Sequence, residues 1–420
     1  MKIAFFTDTY WPNINGVTEN IETSKRALER LGHTVYVVAP KAPGQAEDDK
    51  KVYRLSAVKI IKNPEQRLVI PIPQKDLREL FKQKFDIIHI QTQGTAGLLG
   101  WEIARLRDIP CVVTYHTLLN RYVHYVLKGK IVTPKIAELG SKIFCNLCDL
   151  VVVPTERVKR ELLDYGVTKE ILVIAGGIEV ERFGNLKTGY LRSLLGLNED
   201  EKIILYLGRL GKEKKIDFII RSLRGILEKE EGLYLAIVGD GPERENLIRL
   251  VKELKLEKKV LFAGFIARAD VPKVYKDADI FVFSSDTETQ GLTVPEAMAS
   301  GLAVVVARDP AFDEVVYDGK TGLLAERSEE DFANKVKTLL SDSQLRLRLS
   351  VAGKELVREK FSSQTQAKKL ISVYKKAVKI NFKKRKVTRV LRTRFSLMRD
   401  FLNINLGLSK LKIGGRNGNN

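Results

Sequence analysis

The 420-residue sequence predicts an α/β chain: two doubly wound, Rossmann-like domains facing a cleft, followed by a basic C-terminal tail. Three observations carry this expectation. Short β-branched and apolar runs alternate with longer amphipathic ones, the pattern of parallel strands covered by helices on both faces. The alternation breaks near Ile178–Gly189, where glycines and mixed polar residues intervene, and then begins again. The length also exceeds what one core sustains, at roughly 150 residues per domain.

In the first half, Lys2–Thr7 reads as a strand and Gly16–Leu31 as a helix stopped by Gly32. Strands follow at Thr34–Ala39 and Asp86–Gln91, a helix at Gly97–Leu106 and a strand at Cys111–Tyr115. After a basic helical region come the strand Leu150–Val153 and a helix through Tyr165. The second half offers strands at Ile203–Leu207, Tyr234–Val238, Val260–Ala263, Ile280–Phe283 and Ala303–Ala307. Helices between them include Asp217–Glu228 and Arg244–Leu254. The expected domains are 1–180 and 190–355, with the tail at 381–420. In such sheets ligands bind at the carboxyl ends of the strands.

Composition narrows the class. Hydrophobic residues make up 44% and charged residues 30%, which suits a globular chain. No stretch approaches the ~20 apolar residues of a spanning helix. Met1–Asp8 reads as a strand rather than a signal peptide, so a cytoplasmic protein is expected. Three cysteines cannot build a disulfide framework. Cys145 and Cys148 form a C-x-x-C, but it follows a helical stretch instead of opening one, and it reads as packing. No cysteine or histidine pair completes a zinc site, so no metal is expected. The net charge is +20, which calls for an anionic partner. Residues 381–420 hold eleven Lys/Arg and one acid, half of that surplus in a tenth of the chain.

Chemistry is concentrated at strand ends. Ser284–Gly301 follows a strand and opens a helix, with Pro295 suited to the first turn and Gly291 to a close backbone approach. Its Glu288 and Glu296 fit two readings: carboxylates accepting hydrogen bonds from a diol, or acids placed for the helix dipole. Free N–H groups at such a helix start favour a phosphate. Gly208–Lys215 is a strand-end loop in which Arg209 and Lys214 fit either a diphosphate clamp or a solvated basic loop. Gly239-Asp240-Gly241-Pro242 ends the next strand, with Asp240 read as a turn residue. Asn15-Gly16-Val17 joins strand one to helix one. It is no G-x-G-x-x-G fingerprint, so dinucleotide binding is not supported. His116, in Thr114-Tyr115-His116-Thr117, is a catalytic or substrate-binding candidate. His33, His89 and His124 read as structural.

Together these segments resemble the retaining glycosyltransferases of family 4, which have the two-domain GT-B fold. The resemblance covers roughly residues 1–380. Its most specific element is Glu288, seven residues, then Glu296. The Gly-Arg-Leu…Glu-Lys loop, Asn-Gly-Val, Tyr-His-Thr and Gly-Asp-Gly-Pro occur in the family's order. The resemblance implies that Glu288 holds donor-sugar hydroxyls, Glu296 the ribose, and Arg209 and Lys214 the diphosphate. It implies that the amides of Gly291, Leu292 and Thr293 line sugar and phosphate and that Gly16 borders the phosphate. His116 would lie near the reacting carbon, and the base near Phe265 and Ile266. It also implies a helix at about 361–380 returning to the first, acceptor-side domain. No metal or cofactor is needed, the nucleotide-sugar being a substrate. The mechanism that the resemblance favours is front-face attack, the leaving phosphate helping to deprotonate the acceptor, so no nucleophile is assigned. Ala175-Gly176-Gly177-Ile178, Ile90-Gln91-Thr92 and Lys215 depart from the family pattern. The first two touch the acceptor side.

Glu-Thr-Gln-Gly and Tyr-His-Thr-Leu…Tyr-Val-His-Tyr are similar to the bacterial diacylglycerol glucosyltransferases. That implies transfer of a hexose, glucose by preference, from a UDP-sugar to a membrane lipid; the alternative is a soluble sugar, polysaccharide or phospholipid-linked acceptor. Leu118–Lys142 interleaves Arg121, Lys128, Lys130, Lys135 and Lys142 with Tyr122, Tyr125, Val126 and Leu127, which fits an anionic interface. In the tail, Val387, Leu391, Phe395, Met398 and Leu402 fall near helical spacing among arginines. They fit a basic amphipathic helix on a membrane. The expected location is peripheral, on the inner face of the cell membrane. No nucleic-acid partner is expected, because the surplus charge is concentrated in the tail. No motif specifies an oligomeric state.

Overall fold

A computed structural model of the chain describes residues 1–13, 15–42, 49–60, 63–70, 72, 74–118, 133–184, 186–187 and 189–382. The tail from 383 onward, residues 119–132 of the basic aromatic stretch, and His124 lie outside the described residues.

The first domain is built from β1 (Lys2–Phe6), α1 (Gly16–Arg30), β2 (Thr34–Pro40), β3 (Val52–Leu55), β4 (Ala57–Ile60), β5 (Asn63–Val69), α2 (Lys75–Lys82), β6 (Ile87–Ile90), α3 (Thr95–Arg107), β7 (Cys111–Thr114), α4 (Pro134–Leu147), β8 (Leu150–Val153), α5 (Glu156–Asp164) and β9 (Ile171–Val173). Its seven-stranded sheet runs β3-β2-β1-β6-β7-β8-β9, with every pair parallel. Strand pleating sends alternate residues to opposite faces. Ile3 and Phe5 meet α1 on one side, and Ala4 and Phe6 meet the α3 side on the other. Both layers are apolar, which is why the strands read as continuous hydrophobic runs.

The second domain holds α6 (Tyr190–Leu195), β10 (Lys202–Leu207), α7 (Ile216–Lys229), β11 (Leu233–Val238), α8 (Arg244–Glu253), β12 (Val260–Gly264), α9 (Val271–Asp277), β13 (Ile280–Phe283), α10 (Thr293–Ala299), β14 (Ala303–Ala307), β15 (Leu323–Ala325), α11 (Glu329–Ser341) and α12 (Ser343–Leu356). Its parallel sheet runs β12-β11-β10-β13-β14-β15. Strand order reverses between β1 and β6, and again between β10 and β13. These are the switch points where doubly wound sheets take ligands.

The chain crosses between domains twice. Ile178 N donates to Phe361 O at 2.7 Å and Ser363 N to Ile178 O at 2.8 Å, so the two crossings run side by side. Residues 363–382 then form a helix, α13. Its Ala367, Leu370, Val373, Tyr374 and Ala377 are buried among Ile3, Phe5, Val112 and Val152 of the first sheet.

Several elements were not anticipated. β3, the β4–β5 hairpin, α2, β9 and β15 are short, and charged or proline residues interrupt most of their apolar patterns. Predicted strands ended one residue late at Thr7, Gln91 and Tyr115, because these residues turn into the strand-end loops. The C-x-x-C is a packing feature: Cys145 and Cys148 are buried, with Cys148 Sγ 3.6 Å from Cys111 Sγ.

Candidate active site

The site is assembled at the carboxyl ends of β10, β11 and β13, opposite the first domain. Loop 208–215 leaves β10 and packs tightly on loop 239–242 after β11. Leu210 N donates to Asp240 O at 2.9 Å, and Asp240 Oδ1 accepts from Gly241 N. A Cβ on Gly239 would stand 2.0 Å from Gly208 O, which explains the glycine there by close approach of two backbones. Lys215 adopts φ +52° at the start of α7, in the left-handed region that glycine and asparagine enter most easily.

The glutamate loop is anchored to this base. Ser284 Oγ donates to Lys214 O at 2.7 Å, and Arg327 binds the carbonyls of Ser284 and Ser285 at 3.0 and 2.9 Å. Lys214 Nζ and Glu288 Oε1 form an ion pair, with both side chains largely enclosed. Gly291 has φ +66°, and a Cβ there would lie 2.6 Å from the Phe312 ring. Packing and backbone conformation therefore require this glycine. Glu296 lies within α10, 2% exposed. Its Oε1 pairs with Arg268 and its Oε2 accepts from Tyr275 Oη at 3.3 Å. Glu288 and Glu296 thus keep separate cations, Lys214 and Arg268, on one loop-and-helix segment.

The other predicted residues fall as follows. Arg209 is exposed on its loop, and its carbonyl accepts from Tyr206 Oη at 3.1 Å. Leu292 precedes α10 and Thr293 opens it. Phe265 projects outward, 65% exposed, while Ile266 turns into the core of its own domain. Only the Phe265 ring and the backbone of this pair are therefore available to a base. Gly16 begins α1, where Asn15 Oδ1 accepts from Val17 N and Thr18 N, each at 3.0 Å. The side chain of Asn15 thus occupies the first amides of that helix.

His116 ends a chain of hydrogen bonds whose inner links are buried. Its Nε2 lies 2.9 Å from Gln91 Oε1, and Gln91 Nε2 lies 3.2 Å from His89 Nδ1. His89 Nδ1 also meets Tyr374 Oη at 2.8 Å, and its Nε2 meets Thr114 Oγ1 at 2.6 Å. One tautomer set satisfies every contact: His116 donates from Nε2, His89 accepts at Nδ1 and donates from Nε2. Burial pushes the His116 imidazole down to about 4. It pushes His89 to about 3, with the neighbouring His116 adding to the effect. Both rings are neutral at neutral pH, so His116 offers an Nδ1 acceptor rather than a cation. In the sequence alone His89 reads as an ordinary strand residue and Gln91 as a departure from the family pattern. The missing signal was Tyr374, on a helix 285 residues away.

The same network sets a pH response. Unfolded imidazoles titrate near 6.5, whereas these titrate near 4 and 3 when folded. Between those values the unfolded chain binds more protons, so stability is lost as pH falls below about 6.5. The full shifts are worth on the order of 3 kcal/mol or more per ring. The Asp8 carboxyl, which burial holds above its ordinary value, works in the opposite sense, while His33, which burial and the N-terminal ammonium hold below its ordinary value, works in the same sense as the two rings. Thermal midpoints should therefore drop between about pH 7 and pH 5, with about two protons taken up on unfolding near pH 5. A flat midpoint would count against the network.

Asp8 was also missed. It follows β1, and its carboxylate accepts from Gly94 N at 3.0 Å, Ala96 N at 2.8 Å, Thr92 Oγ1 at 2.6 Å and Thr95 Oγ1 at 3.3 Å. It caps α3 from another strand, which local sequence cannot announce.

The profile described as Glycosyltransferase Family 4 matches residues 14–182, and that described as Glycosyl transferases group 1 matches residues 191–356. An alpha-monoglucosyldiacylglycerol synthase of Streptococcus pneumoniae is 35% identical over 344 residues, 80% of this chain and 77% of the relative. The chain belongs to glycosyltransferase family 4. A second alpha-monoglucosyldiacylglycerol synthase, from Acholeplasma laidlawii, is 33% identical over 79% of this chain and 86% of its own. Sucrose-phosphate synthase from Thermosynechococcus elongatus shares the fold at a TM-score of 0.72 and 23% identity, covering 89% of this chain and 98% of its own. This family 4 glycosyltransferase therefore has the GT-B architecture, two parallel-sheet domains facing a cleft. Among the described residues no helix is long and apolar enough to cross a membrane, and no group of three or more His, Cys, Asp or Glu could hold a metal ion.

Proposed function

We propose that this glycosyltransferase moves glucose from UDP-glucose to a diacylglycerol-type lipid, with retention at the anomeric carbon, while resting on an anionic membrane surface. The observation that carries the transfer is the pairing of the 209–214 basic loop with Glu288 across neighbouring strand ends. Glu288 accepts from donor-sugar hydroxyls and Glu296 from the ribose diol. Lys214 and Arg209 face the diphosphate and stabilise charge on it as the C1–oxygen bond breaks. The acceptor oxygen bonds to C1 from the same face, and its proton passes to the departing phosphate oxygen. His116, neutral and held by Gln91, orients the sugar through its Nδ1 acceptor. The first domain presents the acceptor.

The two relatives named as diacylglycerol glucosylating synthases support the lipid acceptor. So does α4. Its inner face buries Ala137, Ser141, Phe144 and Cys145. Its outer face exposes Ile136, Leu139 and Ile143, each more than half accessible, with Leu147 one turn further on. Lys135 and Lys142 flank this apolar stripe, a pattern suited to a lipid interface. The test supplies labelled UDP-glucose with mixed micelles of diacylglycerol and anionic phospholipid. A labelled α-linked glucolipid is expected. Label appearing only in soluble sugars or polysaccharide precursors would favour the soluble-acceptor reading, and no product would sink both.

A further inference from the structure

The carboxylate of Glu296 is held by a residue that both domains share. Arg268 lies in the loop after β12, in the second domain. Its Nη2 donates to Glu296 Oε1 and its Nε to Glu19 Oε2 at 3.1 Å. Glu19 stands in the first turn of α1, in the opposite domain. Nε–H and one Nη–H share an edge of the planar guanidinium. One cation therefore holds two carboxylates from different domains beside each other. Arg182, in the chain crossing between domains, fixes this loop by donating from Nη2 to Arg268 O at 2.8 Å.

A second observation concerns the oxygens that this arrangement leaves over. Glu19 Oε1 is buried yet takes no hydrogen bond from the described residues, and the same is true of Thr18 Oγ1, one residue earlier on α1. Thr293 Oγ1 shares that condition, three residues before Glu296 on the same face of α10. A buried acceptor left unmatched costs about 1–3 kcal/mol. Here such oxygens lie on the two elements that Arg268 ties together, and all of them can accept from hydroxyl or N–H donors. A nucleoside carries both kinds of donor, whereas a diphosphate at neutral pH carries chiefly acceptors.

We infer that Glu19 is a nucleoside-binding residue contributed by the first domain, and that Arg268 is the positioning residue that brings it alongside Glu296. This rests on reading Glu296 as the ribose carboxylate. The donor is then gripped from both domains at its nucleoside end, and its binding favours their closed arrangement.

Titration calorimetry with uridine, guanosine and adenosine diphosphates, and with inorganic pyrophosphate, tests this on the full chain. For the nucleotide that the native protein binds best, Glu19→Gln should weaken affinity about tenfold, the loss of one hydrogen bond to a charged group. Arg268→Gln should do the same. The double variant should be no weaker than the poorer single one, because both act through one link. Pyrophosphate affinity should not change in any of the three. Unchanged nucleotide affinity in Glu19→Gln, multiplying losses, or lost pyrophosphate binding in Arg268→Gln would each overturn the inference. Glu296→Ala serves as the reference. If it binds nucleotide like the native protein, the ribose reading itself fails; if it loses nucleotide while Glu19→Gln does not, only the inference fails.

Discussion

A Lys214→Ala protein is expected to transfer sugar about 10³-fold more slowly than the native chain, near the upper end of what one preorganised charge contributes to stabilising a leaving group. Two effects add. The diphosphate loses a cation at the end of β10, and Glu288 loses the ammonium with which it is paired. An enclosed carboxylate without that partner drifts from the sugar hydroxyls. The fold should survive, because what the loop gives to its neighbours is mostly backbone: Ser284 and Ser285 bind the carbonyls of residues 213–215. Single-turnover rates and thermal midpoints, measured together, check this. Glu288→Gln should also lose transfer, and the double variant should be little slower than Lys214→Ala alone, since the two side chains act as one unit. Multiplying losses would separate their roles, and a native rate in Lys214→Ala would remove the diphosphate assignment.

The fold was legible because parallel strands buried on both faces write themselves as uninterrupted apolar runs, and the run Ile203–Leu207 restarts what Lys2–Thr7 began. Strand ends were legible too: glycine, proline and charge mark the loops at 208–215, 239–242 and 284–293. Cross-chain ties were not. Asp8 reaches a helix some 86 residues on, His89 is held by Tyr374, and Arg268 finds Glu19 at a separation of 249 residues. No local periodicity encodes such partners, since each side chain is an ordinary polar residue in its own neighbourhood. Phe265 and Ile266 illustrate the same limit at short range. Adjacent residues after a strand point to opposite sides, and only the tertiary packing shows that Ile266 belongs to the core.

Arg157 is the tie between domains whose loss is expected to lower both stability and rate. It enters from α5 of the first domain, whose N-cap Thr155 donates from Oγ1 to Thr289 O at 3.0 Å. Its guanidinium pairs with Asp309 of the second domain, both side chains being less than a tenth exposed, and approaches Glu288 O at 3.5 Å. Arg157→Ala removes one partner of a buried pair, which typically costs about 3–5 kcal/mol. The lower end is expected here, because Arg327 Nη2 stands 3.9 Å from Asp309 and Ala311 N donates to it. Transfer should fall by about 10²-fold as well, since a small misplacement of the Glu288 loop disturbs the reacting geometry. A paired variant separates the two effects. Arg157→Met with Asp309→Asn removes both charges, fills the space and keeps an oxygen for Ala311 N. A neutral, well-packed replacement of a buried ion pair regains much of the stability. It cannot restore the donor to the carbonyl of Glu288. Unfolding midpoints should therefore recover in the paired variant while transfer stays slow. Recovery of both would reduce Arg157 to a tie between domains, and the Glu288 loop would then owe its position to Lys214 and the Gln290–Gly176 contacts.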